Sequence, residues 1–356
     1  MTDRRSFLAS LAAASAVASL PLGDTFAQAA AMKPAKPKHQ GVIDTHHHYW
    51  APEYKKLSMD WDDAHKSPHA ATLTGWSPEV TLAEMDRGGV QTAVLSLASI
   101  RDGFWGLAPQ AASDMVRICV DYAAKLRADH PGRFGIFAPL NMLDVDLCLK
   151  EAAYAFDTIH ADGIGVQSSA NGRYPGDPYY NPLWEELNRR KAVVYFHGPV
   201  PDCCGGIKVG PGVNPAVEEV TFDMTRAALS LLTNGALVRY RDIKWLFSYG
   251  GGTVPMLSTR FDAFLKTAKN IKDIAPNGVV AELQKLYYDT VNVTDAPSWA
   301  ALTKLVPASQ ILFGTDFPYF TNEQLENIDK RGVSAKDKAM ILSGNAKRLL
   351  PHLAKV

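Results

Sequence analysis

Residues 42–50 read Val42-Ile43-Asp44-Thr45-His46-His47-His48-Tyr49-Trp50. Two β-branched residues lead into three histidines, so the stretch has the character of a strand that ends in polar chemistry. Side chains alternate along an extended chain, which puts His46 and His48 on one face and His47 on the other. An HxH pair of this kind can grip one ion. Alone it is weak evidence, because paired histidines also serve as hydrogen-bonded surface residues. The rest of the chain has to decide.

Short β-branched and aromatic runs recur after it: VQTAVLSL (90–97), RFGIFAPL (133–140), GIGVQS (163–168) and AVVYFH (192–197). IKWLFS (243–248), LYYDTV (286–291) and QILFGTD (310–316) continue the series, so with GVIDTH (41–46) there are eight candidate strands. Between them lie amphipathic stretches such as SPEVTLAEMDRGG, with Ser77 and Pro78 as a start and Gly88 as a stop, and NPLWEELNRRK, with Asn181 before Pro182. Apolar strands that alternate with helices imply a parallel sheet covered by helices. Eight such units predict an α/β fold, a single (β/α)8 TIM barrel over 41–356 with long insertions after strands 1 and 5, at 49–77 and 198–222. The competing doubly wound sheet lacks support, since no GxGxxG follows the first strand.

Barrel enzymes build their sites from the C-terminal ends of the strands. Those ends give His46 and His48 on strand 1, His197 on strand 5, Tyr249 just after strand 6, and Asp316 after strand 8. Four of the five are good ligands for a divalent ion. Each was located by hydrophobic pattern before its side chain was considered, which lifts the set above coincidence. His39, His65, His69, His130, His160 and His352 fall in loops or helices and read as ordinary histidines.

The chain has 356 residues, 47% hydrophobic and 21% charged, with 37 Lys plus Arg against 37 Asp plus Glu. That balance excludes disorder, and it leaves no net field to hold nucleic acid or an anionic membrane. Residues 1–29 read as an export signal: Arg4 and Arg5 precede an apolar run, and Ala27-Gln28-Ala29 forms a cleavage-type ending. The paired arginines resemble the twin-arginine type, which predicts a periplasmic mature protein beginning near Ala30. The run is too short and too rich in small residues for a stable membrane span. Residues 30–40 read as a flexible lead-in. Cys119 and Cys148 sit in helical patterns as small buried hydrophobes, whereas Cys203 and Cys204 lie in a Pro/Gly-rich loop with their redox state open.

The stretches DTHHH, VVYFHGP, SYGGGTVP with a later arginine, and LFGTDFPY resemble the amidohydrolase superfamily. Within it they are similar to the amidohydrolase-related branch of aminocarboxymuconate semialdehyde decarboxylase and the aromatic-acid decarboxylases. SPEVTLAEMDRGGV, GDPYYNPLWEELNRRKAVVYFH and FDMTRAALSLLTNG resemble the 6-methylsalicylate decarboxylase type, and the likeness spans nearly the whole mature chain. It implies one divalent ion, zinc first and manganese as the alternative, held by His46, His48, His197 and Asp316. It also implies a substrate role for Arg260, which would otherwise read as a helix-surface arginine, and a pairing of subunits into a homodimer or higher oligomer.

The departure is Tyr249, which stands where the family carries a histidine. Imidazole titrates at ~6.5 and a phenol at ~10, so Tyr249 is a poor base but a competent hydrogen-bond or proton donor. Three functions remain open. A metal-dependent carboxy-lyase acting on a small aromatic or unsaturated carboxylic acid, salicylate-like, would use Asp316 and Tyr249 as catalytic groups. A metal-dependent hydrolase of a lactone or related carbonyl compound would use the same parts to activate water. A ligand-binding barrel would have lost turnover through Tyr249. Decarboxylation survives the tyrosine better, because it needs no activated water. Arg260 and Arg101 are candidates to pair the substrate carboxylate. Trp50 and Trp105, among the loop aromatics at the barrel mouth, suit a flat apolar substrate, or else pack the lid onto its own barrel.

Overall fold

The computed structural model describes residues 37–97, 104, 106–199, 201, 204, 210 and 213–355. The expected signal at 1–29, Arg101, Trp105 and Cys203 lie outside the described residues. Eight parallel strands form one sheet in sequential order: β1 (Val42–Tyr49), β2 (Val90–Leu97), β3 (Phe134–Pro139), β4 (Gly163–Gln167), β5 (Val193–His197), β6 (Lys244–Phe247), β7 (Tyr287–Asp289) and β8 (Ile311–Leu312). The two edges meet through Thr45 N–H donating to Phe313 O at 2.9 Å, Asp316 N–H to His46 O at 2.8 Å and His48 N–H to Phe317 O at 2.8 Å. This is the (β/α)8 barrel that the alternation of strands and helices implied.

Each strand runs into helices that cover it. Between β1 and β2 lie α1 (Pro52–Ala64), a one-turn helix at Ala71–Thr74, and α2 (Pro78–Gly88). Then come α3 (Pro109–Asp129), α4 (Val145–Asp157), α5 (Asn181–Arg189), α6 (Glu219–Thr233), α7 (Val254–Leu265), α8 (Ala296–Leu305) and α9 (Glu323–Lys330). Ser77 caps α2 as its sequence suggests, its Oγ accepting from Val80 N–H at 3.3 Å. The stop is Gly89 rather than Gly88, because the closing residue must turn left-handed and Gly89 has φ 71°.

Apolar side chains fall into two cores because strand residues alternate. Ile164, Val194, Phe196 and Phe247 face outward against the helices. Ile43, Val94, Phe137, Val193, Tyr195, Leu246 and Leu312 fill the barrel interior, joined by Ala346, Leu350 and Leu353 from the C-terminal segment. Phe137 and Tyr195 stack at 5.1 Å with planes 15° apart. Gly163 makes that stack fit, since a Cβ there would sit 2.9 Å from the Phe137 ring. Burying a side chain of this size stabilises by about 1.5–3 kcal/mol, so the layer provides a rigid base for the polar groups at the strand ends.

Candidate active site

Four residues named from the sequence converge. One ligand atom from each of His46, His48, His197 and Asp316 lies within 4.8 Å of the others. Asp316 Oδ1 is 3.1 Å from His46 Nε2 and 2.9 Å from His48 Nε2. The three imidazoles meet edge to face, with centroids 4.7–5.2 Å apart. His47 points the other way, as alternation requires. Its Nδ1 lies 2.8 Å from Asp44 Oδ2 and its ring stacks on Phe317.

Asp44 and Asp289 are the supports that the sequence reading passed over. Asp44 accepts from the backbone N–H groups of His46 and Thr315, both at 3.0 Å, and from the Thr315 hydroxyl at 2.6 Å. It thereby fastens the end of β1 to the segment carrying Asp316. Asp289, at the end of β7, places Oδ2 2.6 Å from His46 Nδ1. Its other oxygen accepts from Val291 N–H at 3.1 Å and Gly250 N–H at 3.4 Å. A proton fixed on Nδ1 leaves His46 Nε2 as the free lone pair, and that buried atom has no hydrogen-bond partner.

The electrostatics fit a cation. Burial opposes charge on His46, but Asp316 and Asp289 outweigh it and lift its pKa to about 10. The two carboxylates therefore call for a positive charge at this point. Burial holds His48 below the ordinary value despite Asp316. Burial also holds His197 well below it, with His48 and His46 adding to the effect. Burial would raise Asp316, yet His46 and His48 keep it well below the usual carboxylate range. Two neutral imidazoles, one orphaned imidazole nitrogen and one ionised carboxylate make a donor set suited to a single divalent ion.

Tyr249 closes the site from β6. Its hydroxyl lies 3.0 Å from His197 Nε2 and donates to Asp316 Oδ2 at 3.2 Å. One hydroxyl has one proton and cannot donate to both, and a His197 lone pair held for an ion would leave that proton to Asp316. Burial, then Asp316 and Asp289, push the phenol well above its ordinary value, leaving a neutral donor. Tyr249 at φ 54° and Asp316 at φ 64° both occupy left-handed backbone, which costs on the order of 1–3 kcal/mol for a residue with a side chain. The packed layer beneath offsets this. Gly314 permits the close approach of β8 to β1, since a Cβ there would stand 2.7 Å from His46 Cβ.

The remaining named residues are placed differently. Trp50 is buried, in an edge contact with Trp76 at 5.9 Å and 6.4 Å from Tyr319, whose ring meets His48 at 5.7 Å. Tyr319 thus stands between Trp50 and the metal ligands. Arg260 does not join the cluster. It is exposed on α7, with its guanidinium 4.7 Å from the Phe264 ring. Beside His197 a cavity opens between β2 and β5, lined by apolar Leu97, Phe137, Pro139 and Leu140 together with Ser96 and Gln167. On the opposite side Tyr249 packs with Val220 and Val291 and fills the space.

The sequence profile of the amidohydrolase family matches residues 43–352. The chain belongs to the amidohydrolase family. It is 35% identical to a decarboxylase designated yanB from Aspergillus niger, over 78% of this chain and 77% of the relative. It is 27% identical to 6-methylsalicylic acid decarboxylase from Penicillium expansum, over 87% of this chain and 96% of that one. Its fold resembles a dihydroxybenzoic acid decarboxylase from Polaromonas sp. JS666, solved with manganese and the inhibitor 2-nitroresorcinol, with TM-score 0.73, 23% identity and coverage of 88% and 97%. The His46, His48, His197 and Asp316 cluster of this amidohydrolase lies within the matched residues.

Proposed function

We propose that this protein is a metal-dependent carboxy-lyase that removes carbon dioxide from an ortho-hydroxybenzoate. The carrying observation is the pairing of a four-donor metal cluster with an apolar cavity that opens directly beside His197. Relatives that decarboxylate 6-methylsalicylic acid and dihydroxybenzoic acid support the substrate class. His46, His48, His197 and Asp316 would hold the ion, which supplies positive charge to anchor the carboxylate and its neighbouring oxygen. Zinc suits three imidazoles and a carboxylate, and the manganese in the Polaromonas enzyme makes it the alternative.

The protein's own groups handle the proton. Asp316 enters as an ionised carboxylate and accepts the proton of the substrate's ortho-hydroxyl. It then returns that proton to the ring carbon bearing the carboxylate. The bond to the carboxylate breaks, carbon dioxide leaves, and the ring recovers its aromaticity as a phenolate that takes a proton from water. Tyr249 positions Asp316 by donating to Oδ2, which leaves Oδ1 to the histidine side.

The test is metal-loaded protein with salicylate-type acids in deuterated water. The expected result is carbon dioxide release with deuterium at the vacated ring carbon. Absence of release from every such acid would sink the reading, and solvent oxygen in a product would indicate hydrolysis instead. Two coarser expectations complete the proposal. The paired Arg4 and Arg5 support export to the periplasm by the twin-arginine route, which loss of periplasmic protein on changing both to lysine would test. Met256 and Phe264, 72% and 68% exposed, flank Arg260 at helical spacing on α7 and support pairing with a second copy, tested by sedimentation. No helix among the described residues is long and apolar enough to cross a membrane.

A further inference from the structure

We infer that Gln167 is the residue that recognises the substrate carboxylate, and so sets the preference for an acid over the corresponding phenol. The inference rests on the decarboxylase reading and extends it. Gln167 ends β4 directly beside His197, its registered partner on β5. Neighbouring strands run about 4.8 Å apart, so a molecule bound at the His197 side of the cluster is within reach of its carboxamide. The side chain is 7% exposed and lines the cavity. Among the described residues no donor or acceptor engages that carboxamide. Lining the cavity, the carboxamide is left to water or to whatever binds there, and a bound molecule would take the place of that water.

The other polar groups around the cavity are already spent or sealed. The Ser96 hydroxyl lies 3.3 Å from His48 Nδ1 and 3.4 Å from His47 O. The Tyr195 oxygen is sealed from solvent and has no partner. Among the described lining residues none is a lysine, arginine, aspartate or glutamate. A carboxylate here would meet the ion held by the cluster and a neutral amide N–H from Gln167. The neutral donor fits the reaction: a second full positive charge, added to that of the ion, would stabilise the acid more than the transition state in which the carboxylate's charge is leaving. Phe137, Pro139 and Leu140 take the ring, and Gly165, which has no side chain, leaves the room for it.

The experiment compares binding of an ortho-hydroxybenzoate and of its decarboxylated phenol to the metal-loaded wild type and to Gln167→Met and Gln167→Glu. Methionine keeps the shape and removes the amide. Gln167→Met is expected to weaken acid binding about tenfold, the usual loss for a hydrogen bond to a charged group, with phenol binding unchanged. Gln167→Glu is expected to weaken the acid further through like charge. Equal weakening of acid and phenol, loss of the bound metal, or no change at all would overturn the inference. A wild type that turns over acids beside an unchanged Gln167→Met removes this inference alone. A wild type that decarboxylates none removes the functional reading and this inference with it.

Discussion

Asp289 Oδ2 lies 2.6 Å from His46 Nδ1, and both side chains are fully buried. A carboxylate behind a metal-binding imidazole fixes its tautomer and raises its basicity. Removing it, as Asp289→Ala, is expected to weaken metal binding roughly 10–100-fold without unfolding the barrel. Competition with a chelator measures this, and an unchanged metal affinity would contradict the role.

The Tyr249 hydroxyl reaches both Asp316 and His197. Tyr249→Phe keeps the ring that packs on Val220 and Val291 and deletes the hydrogen bond to Oδ2. A hydrogen bond to a charged group contributes roughly 1.5–3 kcal/mol, so kcat should fall about 10- to 100-fold. Metal content and KM should hold. A fall in metal content matching the fall in rate would assign the hydroxyl to the coordination shell instead.

The cavity owes its room to Gly165, whose backbone is not left-handed. A Cβ there would find its nearest neighbours at 3.4–3.9 Å, ordinary contact. Gly165→Ala should therefore leave stability within about 0.5 kcal/mol. It should raise KM for ring-substituted acids more than for unsubstituted ones. Melting temperature and a substrate series separate the two effects.

Acid should act on the N-terminal lead-in. Asp329 on α9 holds Lys338 at 2.6 Å, His39 at 3.1 Å, and Lys38. Burial would raise its pKa, but the hydrogen bonds from Lys338, Lys38 and His39 hold it well below the usual carboxylate range. A folded value below the unfolded one means the stabilisation is complete above the unfolded pKa of ~3.9 and is lost as pH falls through the folded value. Asp329→Asn should cost up to about 1 kcal/mol near neutrality, the discount reflecting the exposed Lys38. The difference from wild type should shrink below pH ~4, as melting curves across that range would show.

The strands and the four donors were legible because both follow simple periods. Two-residue alternation separates His46 and His48 from His47, and a strand-end rule finds His197, Tyr249 and Asp316. The same rule applied to LYYDTV and GIGVQS would have flagged Asp289 and Gln167. A single carboxylate or amide, however, carries no ligand spacing to single it out. For Trp50 the sequence leaves open substrate contact or packing of the lid; the structure has it against Trp76, with Tyr319 nearer the ligands. Arg260 was placed by family likeness, and chain periodicity alone gives the exposed helical position it occupies. Contacts made through Asp44 depend on the closing of one strand onto another far away in sequence, which no local pattern records.

The metal donors straddle the seam where the first strand meets the last. His46 and His48 come from β1, while Asp316 follows β8 and its backbone N–H is bonded to His46 O. A growing chain can therefore display its histidines early, but it cannot assemble the ion's cage until the final strand has been made and has docked. An ion held by all four donors would bridge the seam and so tie the last strand to the first. A chain cut short before Thr315 would keep β8 but lose the bonds from Asp316 and Phe317 that join it to β1, and would leave its three histidines without their carboxylate.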